Sequence, residues 1–510
     1  MQGFAPLDYI VFTVYVAASV LIGVYFVKEQ RTVKDYFLAG QTMNWFVVAI
    51  SVIAALFSGI SYLAAPTEVF KNDMTYAVTL LAFFVATPVT TVVFLPFFYR
   101  LKLYTAYEYF EKRFDGRLRY LASALFIIRV VFWLAAAIYA PALAVAEVTG
   151  MPLWFSVVVI GLLTTIYTTL GGMKAVIWTD VMQFFVLVGG QVLVAWIAIS
   201  RVPGGWSETL RIADEGGKFN FLNLDWDLTV RVTFWSALIG GVFSNLVQMA
   251  TDQVSVQRYL TAKSLREAQR SLWFKLAVTV PVVIVFYLMG AVLYAFYQAH
   301  PEALAAFGDK KPDRILPYFV INELPVGIPG VLIAAIFAAT MSTVSSGINA
   351  LSTATIMDFY RRNLKVEPEA ERLLSLSKWL TLVYGLLATA AGFVVPLLGT
   401  LIEATNKIMG IFGGPLLGVF LLGLLTRRAT SRGALLGGLV GSAALAYVVF
   451  ATKVSFMWYA AFGTIATFAL GYVFSLLEPA PARDKTDGLV WSPETMHHTL
   501  EDKAEVSAAD

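Results

Sequence analysis

The chain contains no cysteine. Disulfides, thiolate metal sites and thiol redox chemistry are therefore excluded. Histidine is nearly as scarce: His300, His497 and His498 are the only three. All lie outside the apolar runs, which excludes an imidazole-based site at membrane depth. Charge is thin as well. Only 14% of the 510 residues are Asp, Glu, Lys or Arg, against 58% hydrophobic, and mean hydropathy is +0.72. Soluble domains carry about 25% charged residues, so this balance indicates an all-α polytopic membrane protein. The net charge of +3 is small, and where the cations sit matters more than their sum. With no His, no Cys and no clustered carboxylates at depth, a membrane-embedded enzyme lacks a base, a nucleophile and metal ligands.

What is present is apolar length. About thirteen segments of roughly 18 or more mostly apolar residues recur, near 7–27, 43–69, 75–99, 119–149, 153–170, 177–200, 230–250, 271–298, 328–359, 374–396, 401–425, 431–451 and 456–476. The N-terminus lacks a basic stretch followed by a cleavage site, so its first apolar run is expected to stay as a membrane helix. An odd number of spans puts the termini on opposite sides. Loops bearing Lys28/Arg31, Arg100/Lys102/Lys112/Arg113/Arg117, Arg258/Lys263/Arg266/Arg270, Arg361/Arg362/Lys365/Arg372 and Arg427/Arg428/Arg432 alternate with loops poorer in cations. The positive-inside rule assigns these to the cytoplasm, with the N-terminus outside and the C-terminus inside.

Two segments look interrupted. The second carries small and hydroxylated residues through Ser51–Ser61, with Pro66 beyond; the seventh carries Gly240-Gly241-Val242-Phe243-Ser244-Asn245. Broken helices at membrane depth are tolerated where they line a cavity, and the freed carbonyls there can ligate ions. A kink for packing alone is the plainer alternative. The two breaks begin successive five-helix groups, and because five is odd the groups must be inverted relative to each other. The expected organisation is an extra helix and cytoplasmic loop (1–42), a first five-helix repeat (43–200), an extracellular loop (201–229), a second repeat (230–425), two further helices (426–477) and a cytoplasmic tail (478–510) that composition suggests is disordered.

The ninth segment contains Ala338-Ala339-Thr340-Met341-Ser342-Thr343-Val344-Ser345-Ser346. At about 100° per residue, Ala339, Ser342, Thr343, Ser345, Ser346 and Asn349 share one half of a helix. Hydroxyls in membrane helices often bond back to the preceding turn or join neighbouring helices. A stripe this dense suits a hard monovalent cation, which needs several neutral oxygens.

At these residues the chain resembles the sodium/solute symporter family, over about 1–475. The likeness is densest in Tyr139-Ala140-Pro141-Ala142-Leu143, in Gly171-Gly172-Met173-Lys174-Ala175-Val176-Ile177-Trp178-Thr179-Asp180, in Thr251-Asp252-Gln253-Val254-Ser255-Val256-Gln257-Arg258-Tyr259-Leu260 and in the Ser/Thr helix. The monocarboxylate/multivitamin and sialic-acid branches read closest. The resemblance implies a leucine-transporter-type core, co-transported sodium, a small organic solute and a multi-pass protein of the plasma membrane, embedded in its lipid bilayer. It implies a sodium site from the carbonyls of Ala54, Phe57 and Ala339 and the hydroxyls of Ser342 and Thr343. A second sodium site in some members matches Asp180, Ser342, Ser345 and Ser346 here. Asp180 is by itself an intramembrane carboxylate, a functional hypothesis by default, with a structural partner such as Lys174 as the alternative.

For the solute, Ser58, Gly59, Ser61 and Tyr62 follow the first break, and Tyr76, Trp133, Tyr139, Phe243 and Gln248 are candidate walls. Trp133 stands where the sialic-acid branch carries the arginine that clamps the substrate carboxylate, a departure from that branch. One turn earlier, Arg129 lies roughly 15 Å into its helix; it either binds an anionic substrate group or pairs with an acid or carbonyls. Asp252 and Gln253 suit an inner gate or a capping role. The expected function is a sodium symporter for a small monocarboxylate or related anion. Sialic acid, a neutral solute, a proton-coupled carrier and a passive channel are the alternatives.

Overall fold

The computed structural model describes residues 4–26, 32–308, 312–363, 369–398 and 401–492. Among them nine helices are long and apolar enough to cross a membrane, and Pro6–Ser19, Trp45–Ala55 and Leu153–Ile166 are shorter apolar helices. In order the bundle comprises α1 (Pro6–Tyr25), α2 (Trp45–Leu56), α3 (Gly59–Lys71), α4 (Met74–Arg100), α5 (Gly116–Thr149), α6 (Leu153–Arg201), α7 (236–251), α8 (Gln253–Tyr259), α9 (Leu265–Ala299), α10 (Ile328–Ala354), α11 (Ala370–Ala391), α12 (Leu401–Leu425), α13 (Ser431–Ala451) and α14 (Tyr459–Leu476). The all-α expectation holds.

α6 is two helices joined without a loop. Gly172 adopts φ 58° and ψ −173°, a region that side chains disfavour and glycine occupies freely. The Gly171-Gly172 pair thereby turns the chain between the fifth and sixth apolar runs.

α10 is the central helix. It is buried nearly all round, the behaviour expected of a helix with no polar outer face, and it packs on α6, α5, α1 and the α2/α3 pair. Its N-terminus is held by α1: Asp8 Oδ1 accepts from the backbone N–H groups of Gly327 (2.9 Å) and Gly330 (2.8 Å). A carboxylate on free N–H groups at the positive end of a helix dipole is a stabilising arrangement.

The first interruption falls where the sequence pattern puts it. α2 stops at Leu56, Phe57 takes φ −86° and ψ 89°, and α3 resumes at Gly59. The second interruption is a correction. Residues 240–245 are helical, flanked by wide π-type turns at Ser236–Gly240 and Val247–Thr251. The chain unwinds instead at Asp252 (φ −80°, ψ 120°), whose carboxylate caps α8 by accepting from Val254 N at 2.9 Å. Gly240 and Gly241 serve close approach rather than unwinding: a Cβ at either position would press on Met457 or on Thr79 and Ala82.

The tail also differs in part from the disordered segment that composition suggests. Trp491 N donates to Leu424 O (2.7 Å), Tyr109 Oη donates to Leu489 O (2.9 Å), and Leu489 and Val490 are buried. A short apolar patch gives this stretch something to bury. His497 and His498 lie outside the described residues.

Candidate ion and solute sites

A helix end leaves its last carbonyls without intrahelical partners. At α2 the Ile53 carbonyl is taken by Phe57 N, which leaves those of Ala54, Ala55 and Leu56 beyond the ladder. The α10 rail faces this end. Thr343 Oγ1 donates to Ala55 O at 3.3 Å, and Ala339, Ser342, Thr343, Ser345 and Ser346 are all buried. The rail therefore points at the break and not at lipid. The Thr343 hydroxyl and the carbonyls of the unwound segment bring neutral oxygens together, the kind of group a monovalent cation uses.

Beside the cleft sits a charged node. Asp180 Oδ1 accepts from Ser342 Oγ (2.5 Å), and Oδ2 accepts from Ser51 Oγ (2.5 Å) and from the Arg258 guanidinium (3.0 Å). Arg258 also donates to Ser346 Oγ and to Val254 O. The partner of Asp180 is thus Arg258, not Lys174. Ser345 and Ser346 donate back to Ser342 O, the ordinary habit of helix hydroxyls. Asp180, Ser342 and Ser346 are brought together, with a guanidinium already among them.

On the other side of the break lies a two-lobed cavity of about 150 and 220 Å³. Phe57, Ser61, Tyr76, Val283, Tyr287 and Asn406 line both lobes. Gln248 lines the larger lobe with Ser244 and Asn245. The smaller lobe is mainly apolar, while the larger is lined about equally by polar and apolar groups, a mix that fits an organic solute with a polar end. Asn406 Nδ2 donates to Tyr76 Oη at 2.9 Å and ties α12 to the start of α4.

Several candidate solute residues stand elsewhere. Gly59 is wedged between helices; a Cβ there would sit 2.5 Å from Thr340 Oγ1 and 3.3 Å from a Pro141 carbon. Tyr62 packs edge-on against Phe286. Ser58 and Tyr139 are buried and line neither lobe, and Phe243, half-buried, lines neither. Trp133 borders a void too small for a solute, with Gln248, Asp252, Ser255 and Arg258. Arg129 is not in the cavity: it forms a buried ion pair with Asp252 at 2.7 Å and contacts Met409 Sδ at 3.1 Å. Gln253 is equally committed, accepting from Ala106 N (2.9 Å) and donating to Tyr104 O (2.8 Å). Asp252 and Gln253 therefore fasten α8 to α5 and to the segment before Glu108–Arg113.

These observations point to a carrier: a discontinuous helix, a buried hydroxyl rail on the helix facing it and a cavity alongside. A model of the Sodium:solute symporter family matches residues 36–441. The chain belongs to that family. It is 37% identical over 449 residues to human sodium-coupled monocarboxylate transporter 1, covering 86% of this chain and 72% of that protein. It is 33% identical over 490 residues to the sodium/sialic acid symporter SiaT of Proteus mirabilis, covering 95% and 97%. A solved Na⁺-coupled sialic acid symporter in a substrate-bound outward-open state superposes with a TM-score of 0.88 at 32% identity, covering 94% of this chain and 99% of that one. Mhp1, a nucleobase-cation-symport-1 transporter, shares the fold at 15% identity and a TM-score of 0.57, which agrees with the leucine-transporter-type core that the family resemblance implies. The chain is a sodium-coupled membrane transporter and not an enzyme.

Sequence reasoning passed over several residues of this symporter's interior. Arg258 is legible in the sequence only as one of the loop cations, whereas the fold buries it against Asp180. Ser51 lay in the quoted stretch without a role. Arg119 pairs with Asp358 (2.7 Å) and Glu111 (2.8 Å), and Arg231 grips Glu68 with two bonds of 2.6 and 2.9 Å. Lys275 did carry a signal: a lone cation inside the apolar run 271–298, open to the same argument that singled out Asp180.

Proposed function

We propose that the protein imports a small organic monocarboxylate with sodium by alternating access, as a multi-pass protein of the plasma membrane. Its N-terminus is outside, its C-terminus inside, and its apolar helices contact the lipid bilayer. The coupling ion is ligated by the main-chain oxygens of Ala54, Phe57 and Ala339 and by the hydroxyls of Ser342 and Thr343. The observation that carries this reading is the 3.3 Å approach of Thr343 Oγ1 to the freed Ala55 carbonyl, on a rail that is wholly buried.

Sodium joins α2 to α10 and orders the start of α3, where Ser61 faces the cavity with Tyr76 and Gln248. Binding of ion and solute is coupled because each favours the same arrangement of these helices. When the inner side opens, α2 and α10 part, the cage loses its ligands and sodium leaves into a negative interior. The membrane potential contributes about 2.3 kcal/mol per charge per 100 mV. A second ion at Asp180, Ser342, Ser345 and Ser346 has to displace Arg258 from the carboxylate, so the first site is the principal coupling site. The Arg129–Asp252 pair and the Gln253 clamp act as the inner gate. The sizes of the lobes and the human and bacterial relatives named above favour a small carboxylate over a bulky neutral solute.

The test is uphill uptake in proteoliposomes. With an inward sodium gradient, lactate, pyruvate or nicotinate is expected to accumulate above the external concentration. Replacing sodium by choline at fixed pH is expected to abolish that accumulation. Accumulation that survives in choline and follows a proton gradient, or mere equilibration, contradicts sodium symport. Sodium-driven accumulation of neutral solutes alone contradicts the choice of substrate.

A further inference from the structure

The anionic solute needs a cation, and Arg129 is spent on Asp252. The buried cations among the described residues are Arg113, Arg119, Arg129, Lys218, Arg258 and Lys275. Arg113 donates to the carbonyls of Gly423 and Thr426, and Lys218 to those of Phe70 and Asn72. Arg119, Arg129 and Arg258 are paired with Asp358, Asp252 and Asp180. Arg231, half-exposed in the segment before α7, is held by Glu68. Lys275 differs from all of these. It is fully buried, and its Nζ has no hydrogen-bond acceptor among the described residues.

Lys275 lies ten residues beyond Leu265, about 15 Å along the α9 axis. It belongs to the buried stripe of that helix, Leu272, Lys275, Thr279, Val282 and Phe286. One turn on, Thr279 lines the larger lobe, and its Oγ1 is also without a partner among the described residues. The Lys275 ammonium sits 5.1 Å from the centroid of Phe83, another wall of that lobe. A cation–π contact of this kind supports a desolvated cation only in part. A buried ammonium with three donors and no acceptor remains destabilised. An arriving anion relieves this, and an uncharged isostere does not.

We infer that Lys275 and Thr279 form the carboxylate-recognition pair of the solute cavity. One carboxylate oxygen accepts from Thr279 Oγ1 at the wall. The other accepts from Lys275 Nζ, which reaches past Phe83 on its flexible stem. Residues four apart on a helix lie one above the other, about 5–6 Å between Cβ atoms, so a single carboxylate can engage both. This assignment rests on the reading of the solute as an organic anion, and it makes Lys275 the residue that selects acids over amides.

The experiment uses the full chain in lipid nanodiscs at saturating sodium. Wild type, Lys275→Met and Thr279→Val are titrated calorimetrically with nicotinate against nicotinamide, and with lactate against lactamide. Wild type is expected to prefer the acid of each pair. Lys275→Met is expected to lose about 10- to 100-fold in acid affinity, the range for a hydrogen bond to a charged group. Its amide affinity should change by less than about threefold, and Thr279→Val should lose about 3- to 10-fold for the acid. A wild-type acid-over-amide ratio retained in Lys275→Met overturns the assignment while leaving the monocarboxylate reading intact. Wild type that binds none of the acids, or prefers the amides, overturns both. Folding is checked by the sodium-dependent rise in melting temperature. If Lys275→Met lacks that rise, Thr279→Val alone decides, and an unchanged ratio there overturns the assignment.

Discussion

Two layers of this transporter treat buried charges differently. In the layer toward the basic loops, charges are matched by the protein itself: Arg129 with Asp252, Arg258 with Asp180, Arg119 with Asp358 and Glu111. In the layer around the break and the cavity, the freed Ala55 carbonyl is met only by the Thr343 hydroxyl, at 3.3 Å, and the Thr279 hydroxyl and the Lys275 ammonium have no hydrogen-bond partner among the described residues. A layer that satisfies itself holds its helices together without a ligand. A layer that leaves well-placed donors and acceptors over is built to take ligands. The described arrangement thus sets a layer of paired charges beside a cavity that keeps unpaired donors.

The comparison breaks first where a matched charge loses its partner. Asp180→Asn or Arg258→Met alone leaves a buried charge uncompensated and should cost about 3–5 kcal/mol of stability. The double substitution should recover most of that loss, because no charge is then stranded. Thermal unfolding of the four proteins in detergent reads the coupling, and additive losses would mean that the two residues act independently. The gate pair is expected to have a smaller effect. The absence of cysteine makes Ser255→Cys, beside Asp252 in the small void, a clean reporter. Adding Asp252→Asn should speed its labelling by an impermeant maleimide from the cytoplasmic side about tenfold for each 1.4 kcal/mol of gate stability removed. The smallest effect is expected at Ser345→Ala, whose hydroxyl only returns to Ser342 O. Sodium affinity and stability should both stay within about 0.5 kcal/mol of wild type. A large loss there would make Ser345 an ion ligand and favour the second site.

Much of the architecture was legible because bilayer thickness sets a length that composition cannot hide. The break at Phe57 was legible for a related reason: Ser and Gly replace Leu just where a continuous helix would want Leu. The same pattern misled at Gly240–Asn245, since small residues serve close helix contact as readily as unwinding. The informative residue there was Asp252, a helix-capping type standing directly before α8. Arg129 is legible as needing a partner, but pairing across distant segments leaves no local trace in a sequence, so Asp252 could be named as a gate or a cap and not as its mate. The rail on α10 was readable because helical periodicity converts directly into a face. Which of its hydroxyls turn outward was not, because back-bonding at Ser345 and Ser346 is a choice of rotamer.

The most direct test of the central claim is sodium binding to Thr343→Val, read as the sodium-dependent rise in melting temperature without solute. Valine keeps the shape of threonine and removes only the oxygen that faces Ala55. The account predicts a folded protein whose half-saturating sodium concentration rises by about tenfold or more, the effect of losing one ligand in a buried site. A Thr343→Val protein with the wild-type sodium response would contradict it.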